Sequence, residues 1–303
     1  MSGLTASRRA RYALIAGGVA LVVAVAALWI RSQSAYATPA ECARRSRVDD
    51  VNACLEPYYR AMAERGAGVQ AMEDLQQLSA SGAFDDCHML AHHYAHIAYQ
   101  VRGDFEAVFR DGSSKCNDGY YHGVVEAAFY ALATGTNELP THHGAGQPAS
   151  TALQDGPLPA EVMGLCEPFL EDARLYFECV HGIGHGLMYT YEHDVTRSLP
   201  GCAHFADPGL AEYCRDGVFM ENVLRFLPLD EADFEKFAGT ACDGLDLDDD
   251  DFGACYFNIG EIATIYMKHD GLKATSFCND LDASRQAKES CTTGVSHEMA
   301  APH

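Results

Sequence analysis

Apolar residues recur at the three- and four-residue spacing of amphipathic helices through most of the chain. Two clear examples are residues 87–99, CHMLAHHYAHIAY, and residues 116–132, CNDGYYHGVVEAAFYAL. No segment shows sustained alternation of apolar and polar positions with β-branched residues, which is the pattern of a half-buried strand. The sequence therefore predicts an all-α protein.

The first apolar run has no polar face. Residues 13–30, ALIAGGVALVVAVAALWI, are 18 uncharged residues, long enough at ~1.5 Å per residue to cross most of a bilayer. Arginines at positions 8, 9 and 11 precede the run, which predicts a cytoplasmic N-terminus. The run also exceeds the ~7–15 apolar residues usual for a signal peptide, which favours a retained signal anchor. Ala35 and Ala37 offer an A-x-A site, so cleavage after Ala37 and secretion are the alternative.

This run divides the chain into two regions. Residues 1–37 form the predicted cytoplasmic N-terminus and transmembrane helix, through which the protein contacts the membrane. Residues 38–303 form a predicted extracytoplasmic domain, either periplasmic or extracellular.

Twelve cysteines divide this domain into repeated units. Five pairs are separated by 12 or 13 positions: Cys42/Cys54, Cys166/Cys179, Cys202/Cys214, Cys242/Cys255 and Cys278/Cys291. Along one straight helix, 13 residues would separate two cysteines by ~19 Å, whereas a disulfide needs Cα atoms within ~7 Å. The chain must therefore reverse between them, so each pair is predicted to join the two helices of a hairpin.

Cys87 and Cys116 break this spacing because they are 29 positions apart. Each begins a segment like the second helix of a hairpin, and neither has a first-helix cysteine before it, so we predict that they bond to each other. Counting second helices gives about seven disulfide-stapled hairpins, which predicts an α-solenoid or a closed toroid. Residues 134–159 are rich in Gly, Pro and Thr and predict a long loop.

The cysteine pattern and the net charge indicate the redox compartment of the domain and the kinds of partner it can bind. No C-x-x-C occurs, which favours structural disulfides in an oxidising compartment over a zinc ribbon, thioredoxin-like chemistry or covalent haem. The formal net charge is −22, and residues 1–37 contain no Asp or Glu, so the acidity belongs to the domain. Such acidity disfavours nucleic acid as a partner and favours cations. A protein partner is a further alternative.

Histidines and glutamates are in register with the second-helix cysteines. Residues four apart lie within ~40° on one helix face, the spacing by which a helix offers two ligands to one metal. Oxidised cysteines provide no thiolate, so imidazole and carboxylate are the available ligands, which suit a Zn, Fe, Cu or Mn ion. We predict a transition-metal site formed by three such pairs, His92/His96, His122/Glu126 and His181/His185.

Four further residues fall at, or one position after, the sixth residue beyond a second-helix cysteine. We interpret them as acid/base groups or second-choice ligands; they are Glu221, Glu261, His297 and Glu298. Other histidines follow no shared register and are interpreted as structural or exposed; they are His193, His204, His269 and His303.

The third position after these cysteines carries a small residue in the last five units. These residues are Gly119, Gly182, Gly217, Asn258 and Gly294. Glycine costs about 1 kcal/mol relative to alanine inside a helix, so its repeated use predicts close contact between helix backbones.

Three functions fit these patterns if equivalent hairpin faces turn toward a common interior. The first is a metal-dependent oxidoreductase or hydrolase, which needs an open coordination position. The second is a non-catalytic protein that binds or delivers metal. The third is a protein-interaction scaffold in which the histidines only pack, and scattered imidazoles would favour it.

Overall fold

The structure is a computed structural model that describes residues 38–45, 48–81, 87–136, 162, 164–224 and 231–300. These ranges are helical and contain no β-strand, which confirms the predicted all-α class. The predicted transmembrane run and nearly all of the predicted loop at 134–159 lie outside the described residues. Of the helices in the described ranges, none is both long and apolar enough to cross a bilayer.

Thirteen α-helices are present in the described ranges. Seven are long second helices: α2 (Val48–Glu64), α4 (His88–Arg102), α6 (Gly119–Thr134), α7 (Ala173–Thr190), α9 (Pro208–Leu224), α11 (Asp249–Tyr266) and α13 (Arg285–Ala300). Six are shorter: α1 (Pro39–Cys42), α3 (Gly68–Ala80), α5 (Phe105–Arg110), α8 (Val195–Cys202), α10 (Glu231–Ala238) and α12 (Gly271–Asp280).

Local sequence fixes several of the helix ends. Asp172, Asp194 and Asp248 each accept a hydrogen bond from a backbone N–H in the first turn of α7, α8 and α11 respectively. Such N-caps stabilise a helix by about 1 kcal/mol. Gly103 and Gly135 end α4 and α6 in the left-handed conformation that glycine adopts without steric cost.

All six predicted disulfides are formed. The five pairs with 12- or 13-residue spacing and the Cys87–Cys116 pair have Cα separations from 5.2 Å for Cys87–Cys116 to 6.0 Å for Cys242–Cys255. The described residues contain no free cysteine. Six disulfides indicate an oxidising, extracytoplasmic environment.

Each long helix packs against the next one along the chain, from α2 through α4, α6, α7, α9 and α11 to α13. The predicted close contacts occur between α7 and α9, where a Cβ on Gly217 would lie 2.1 Å from the carbonyl oxygen of His181. A Cβ on Gly294 of α13 would lie 2.0 Å from the carbonyl oxygen of Phe257 on α11. Glycine at these positions lets the backbones approach to a distance that no other residue allows.

One contact joins distant parts of the chain. The side-chain amide of Asn117, just before α6, donates a hydrogen bond to Glu298 Oε2 of α13 at 3.0 Å. The turn before α6 therefore contacts the last long helix, α13.

Candidate metal centre

Five histidines from three consecutive long helices form one buried group, which we call the imidazole cluster. Helix α4 contributes two of them, α6 one and α7 two; they are His88, His92, His122, His181 and His185. None is more than 5% exposed. The His122 ring is central, with its centroid 4.5 Å from that of His181, 4.9 Å from that of His185 and 5.5 Å from that of His88.

Two features of the local sequence bring these rings together. His88/His92 and His181/His185 are four residues apart, so each pair lies on one helix face. Helix α6 also approaches α4 closely, since a Cβ on Gly119 or Gly123 would lie 2.7 Å from the carbonyl oxygen of His88 or His92 respectively. His122 lies between these two glycines and is therefore held against α4.

A left-handed turn precedes α6 and holds the first ring. Cys116, Asn117 and Asp118 have φ values of 58°, 52° and 57°, a conformation that costs roughly 1–2 kcal/mol for each residue other than glycine. The turn directs the carbonyl oxygens of Cys116 and Asn117 to within 3.2 and 3.0 Å of His88 Nδ1. The Cys87–Cys116 disulfide ties the turn to the start of α4.

Two buried glutamates hold the next pair of rings. Glu126 Oε2 lies 3.2 Å from His92 Nδ1 and 2.5 Å from His96 Nε2, and its Oε1 lies 3.4 Å from His185 Nδ1. Glu221 Oε2 lies 3.0 Å from His185 Nδ1. A carboxylate that accepts a hydrogen bond from the remote nitrogen of a histidine is the usual support for a metal-binding imidazole.

Two more carboxylates face the remaining rings. Glu178 Oε2 lies 3.5 Å from His122 Nε2, and Asp216 Oδ2 lies 3.5 Å from His181 Nδ1. The second nitrogen of the His122 ring, Nδ1, is buried and has no hydrogen-bond partner. Every ring of the cluster thus has one nitrogen that faces an oxygen acceptor.

These contacts decide which nitrogen of each ring carries a lone pair. A carbonyl or carboxylate oxygen only accepts, so the nitrogen facing it is the one that donates a hydrogen. In both i, i+4 pairs the opposite nitrogens then meet, since His88 Nε2 lies 3.1 Å from His92 Nε2 and His181 Nε2 lies 3.1 Å from His185 Nε2. If both Nδ1 atoms of a pair carry the hydrogen, two neutral rings place lone pair against lone pair, and a proton or a metal ion between the Nε2 atoms removes this repulsion.

Burial controls the charge of the cluster. It lowers the pKa of His92 to about 3, although Glu126 opposes the shift. Burial and the neighbouring imidazoles also hold the pKa values of His122 and His181 well below their usual range. Burial likewise opposes the charged form of His185, but its hydrogen bonds to Glu126 and Glu221 outweigh burial and raise its pKa to about 9. The metal-free cluster therefore holds its proton on His185, and a metal ion would compete with that proton.

Carboxyl groups border the cluster on its more exposed side. The side chains of Asp118, Glu178 and Asp216 are 27%, 16% and 28% exposed. Burial and the charge of Asp118 raise the pKa of Glu178 to about 8, and burial raises that of Asp118 to about 6. These three residues form a carboxyl rim beside His122 and His181, and Arg174 Nη1 lies 3.5 Å from Asp118 Oδ1.

Four groups of three residues have ligand atoms that all lie within 4.8 Å of one another, so each could hold a metal ion. They are His88/His92/His122, His122/His181/His185, His92/His96/Glu126 and Glu126/His185/Glu221. All the residues in them are buried. The structure therefore brings together all six residues predicted as ligands from the sequence.

The four predicted acid/base residues fall in two places. Glu221 lies beside His185 in the cluster, whereas Glu261, His297 and Glu298 lie on α11 and α13. His297 Nδ1 is 2.6 Å from Glu261 Oε1. Burial raises the pKa of Glu261 to about 8, although its hydrogen bond to His297 opposes the shift. Their catalytic roles stay predictions.

Sequence reasoning missed several residues of the site. His88 lies four residues before His92 and so had a signal, but the sixth residue after Cys87 is His93, so the cysteine register does not select His88. Cys87 lies at the N-cap of α4 whereas Cys179 lies inside α7, so the count along α4 shifts by one residue. Asp216 follows Cys214 by two positions, as His181 follows Cys179, and this shared register could have identified it.

His193 is another residue that was interpreted from the sequence as structural or exposed. Its Nδ1 lies 3.6 Å from Glu221 Oε1, on the opposite side of that carboxylate from His185. His193 and His269 each follow a second-helix cysteine by 14 positions, and His269 Nδ1 lies 3.9 Å from Glu298 Oε1. The two histidines are therefore equivalent in the repeat, which the sequence analysis overlooked.

Comparisons with models of protein families, with curated proteins and with solved structures find no match to this chain. The geometry of the imidazole cluster is consequently the basis on which a function is assigned.

Proposed function

We propose that this chain is an extracytoplasmic metalloprotein whose imidazole cluster binds a transition-metal ion. The observation that carries the proposal is the pair of 3.1 Å contacts between Nε2 atoms, in His88/His92 and in His181/His185. Two nitrogens that each lie 2.0–2.1 Å from one Zn²⁺ ion are about 3–3.4 Å apart at the angles that metal centres adopt. The apposed rings therefore have the spacing of two ligands on one ion.

The ion belongs on the Nε2 side of the rings rather than on the glutamate side. Contacts between Glu126 or Glu221 and imidazole N–H groups are hydrogen bonds that are satisfied without a metal. Contacts between two Nε2 atoms lack a shared hydrogen unless one ring is protonated. We therefore assign His88 as a ligand beside the predicted His92, His122, His181 and His185, and we assign Glu126, Glu221 and His96 as support for these ligands.

The use that we propose for the metal is catalysis by an oxidoreductase or hydrolase. A group of three imidazoles, such as His122, His181 and His185, leaves a coordination position for water or substrate, as in catalytic zinc sites. The bound ion would act as a Lewis acid or, if it is Fe or Cu, as a redox centre. Glu261, His297 and Glu298 are the acid/base candidates, and the electrostatic interactions of Glu261 and His297 with Asp216 support this role.

The second candidate is a protein that captures or delivers metal without turnover. The net charge of −22 favours it, because a negative net charge attracts cations to the protein.

Two features of the architecture complete the proposal. The domain is tethered by residues 13–30 as a signal anchor, which the length of that apolar run supports. The hairpins curve into a closed ring around the metal, which the hydrogen bond from Asn117 to Glu298 supports.

Elemental analysis of the purified full-length chain tests metal binding. We expect at least one transition-metal ion per chain in the wild type and a lower metal content in His181→Gln/His185→Gln. The control His269→Gln/His297→Gln also removes two imidazoles, but from outside the cluster, and should keep the metal. Wild-type protein that carries no metal and rejects added Zn²⁺, Fe²⁺ and Cu²⁺ would overturn the proposal.

Anion binding separates catalysis from capture. In Co²⁺-substituted protein, added azide should change the visible absorption spectrum if a coordination position is open. An unchanged spectrum at saturating azide would favour the closed site expected of a capture protein.

A further inference from the structure

The imidazole cluster contains two copies of the same arrangement. In each copy an i, i+4 histidine pair brings two Nε2 atoms to 3.1 Å, in His88/His92 and in His181/His185. The second ring of each pair turns Nδ1 to a glutamate on the next long helix, from His92 to Glu126 and from His185 to Glu221. The two copies therefore offer two similar places for an ion.

The ligand atoms of the two pairs are too far apart for one ion. Nitrogens bound to a single ion at 2.0–2.1 Å lie at most about 4.2 Å from each other. In the described part of the chain, two of the groups with ligand atoms within 4.8 Å of one another contain one pair or the other together with His122, and no group combines the two pairs. One ion can contact either pair without rearrangement, but not both.

His122 occupies the boundary between the two pairs. Its ring centroid is 5.5 Å and 5.7 Å from those of His88 and His92, and 4.5 Å and 4.9 Å from those of His181 and His185. Its Nδ1 is buried without a hydrogen-bond partner, which leaves this nitrogen able to bind an ion.

The surrounding charge suits more than one cation. Glu126 and Glu221, which are 0% and 1% exposed, bring two buried carboxylates to the rings. Glu178 and Asp216 add two more carboxyl groups at 3.5 Å from ring nitrogens. Buried charges require partners of opposite sign, so the buried carboxylates of Glu126 and Glu221 favour cations beside the rings.

We propose that the imidazole cluster is a dinuclear centre, with one ion between His88 and His92, a second between His181 and His185, and His122 at the boundary, where its Nδ1 can bind one of the two ions. This inference rests on the proposed metal binding and deepens it. It also narrows the chemistry, because two adjacent ions can clamp the attacking and leaving oxygens of one substrate, as in two-metal hydrolases, or can share the electrons of a redox reaction.

The number of ions per chain tests the inference. The full-length protein is loaded with excess Zn²⁺, desalted and analysed by mass spectrometry of the metal against protein concentration. We expect two ions in the wild type and one in each of His88→Gln/His92→Gln and His181→Gln/His185→Gln. Circular dichroism and mapping of the six disulfides establish whether each variant is folded.

Electron paramagnetic resonance of the Cu²⁺-loaded wild type provides a second measurement that needs no variant. Two Cu²⁺ ions in these adjacent sites should give a magnetically coupled spectrum with reduced intensity. The variant His88→Gln/His92→Gln and the variant His181→Gln/His185→Gln should each give the spectrum of an isolated ion. A single uncoupled ion in the wild type would overturn the dinuclear centre but leave the proposed metal binding intact. The absence of any bound ion would overturn both.

Discussion

Helices α7 and α9 on one side, and α11 and α13 on the other, use the same backbone arrangement for different chemistry. Both pairs make close contact through reciprocal glycines. A Cβ on Gly184 or Gly217 would lie 2.1 Å from a backbone oxygen of the facing helix, and one on Gly260 or Gly294 would lie 1.9 or 2.0 Å from such an oxygen. The framework is therefore the same in the two regions.

The difference lies at the sixth position after the cysteine. This position is His185 on α7 and Glu261 on α11. When its ring is protonated, His185 faces a group of opposite charge, Glu221. The hydrogen bonds of His185 to Glu126 and Glu221 raise its pKa to about 9, against the effect of burial. Burial raises the pKa of Glu261 to about 8, and the carboxyl groups of Asp216 and Glu298 add to the shift.

The two regions therefore share one hairpin framework. The residue type at the sixth position after the cysteine determines the chemistry that each region can perform. In the first region an imidazole, His185, faces a glutamate, Glu221, and this pair can bind a cation. In the second region a glutamate, Glu261, faces another glutamate, Glu298. Glu261 is then either protonated or paired with His297, whose Nδ1 lies 2.6 Å from its Oε1.

The largest expected effect comes from filling the close contact between helices. Gly217→Ala should lower the free energy of unfolding by about 1–3 kcal/mol, because the added Cβ meets the His181 carbonyl oxygen and forces α7 from α9. The same displacement moves His181, so metal content should fall as well.

Gly294→Ala is the matched variant in the other region. It should destabilise the fold similarly, because its Cβ would meet the Phe257 carbonyl oxygen, but it should keep the metal. Urea unfolding and elemental analysis check both variants. Equal metal loss in the two would mean that the regions are coupled as one rigid unit.

A smaller effect is expected from removing the charge behind a ligand. Glu221→Gln keeps the size of the side chain but weakens its hold on His185 Nδ1, so the dissociation constant for Zn²⁺ should rise about 10–100-fold. Glu298→Gln changes the equivalent glutamate of α13 and should leave that constant unchanged. Competition with a chelator of known affinity measures both, and equal constants for the two variants would contradict the assigned role of Glu221.

The smallest effect concerns the pH dependence of stability in metal-free protein. The pKa of Glu261 rises from 4.5 to about 8 on folding, so its contribution is fully present below pH 4.5 and is lost as the pH rises toward 8. The hydrogen bond to Glu261 raises the pKa of His297, and that contribution is also lost as the pH rises.

Glu261→Gln removes both contributions. The thermal unfolding midpoint should then fall less between pH 5 and pH 8 than in the wild type. Glu212→Gln, at an exposed position of α9, serves as the control and should retain the wild-type slope. A wild-type slope in Glu261→Gln would show that Glu261 is not protonated in the folded state.

Much of the framework could be predicted from the sequence because its determinants are local. Spacing of 12 or 13 residues between cysteines, together with the reach of a disulfide, requires a hairpin wherever it occurs. The odd pair Cys87/Cys116 was predicted by elimination and is confirmed. The i, i+4 spacing of His181 and His185 likewise fixes their common helix face.

Other parts of the site depended on contacts that no local pattern encodes. The His88 ring is oriented by carbonyl oxygens of a left-handed turn 28 and 29 residues later in the chain. Glu178 precedes Cys179 by one position and carries no register signal, yet it faces His122 of another helix. Helical phase alone could not identify either contact.

The sequence by itself determined the helix faces, the disulfide pairs and the kinds of ligand atom available, because each follows from spacing within about one hairpin. Only the tertiary structure decided which faces meet, which nitrogen of each ring holds a lone pair, and that His122 lies between two equivalent pairs. The physical reason is that these properties depend on how closely neighbouring helices approach and on hydrogen bonds between groups 28 or more positions apart.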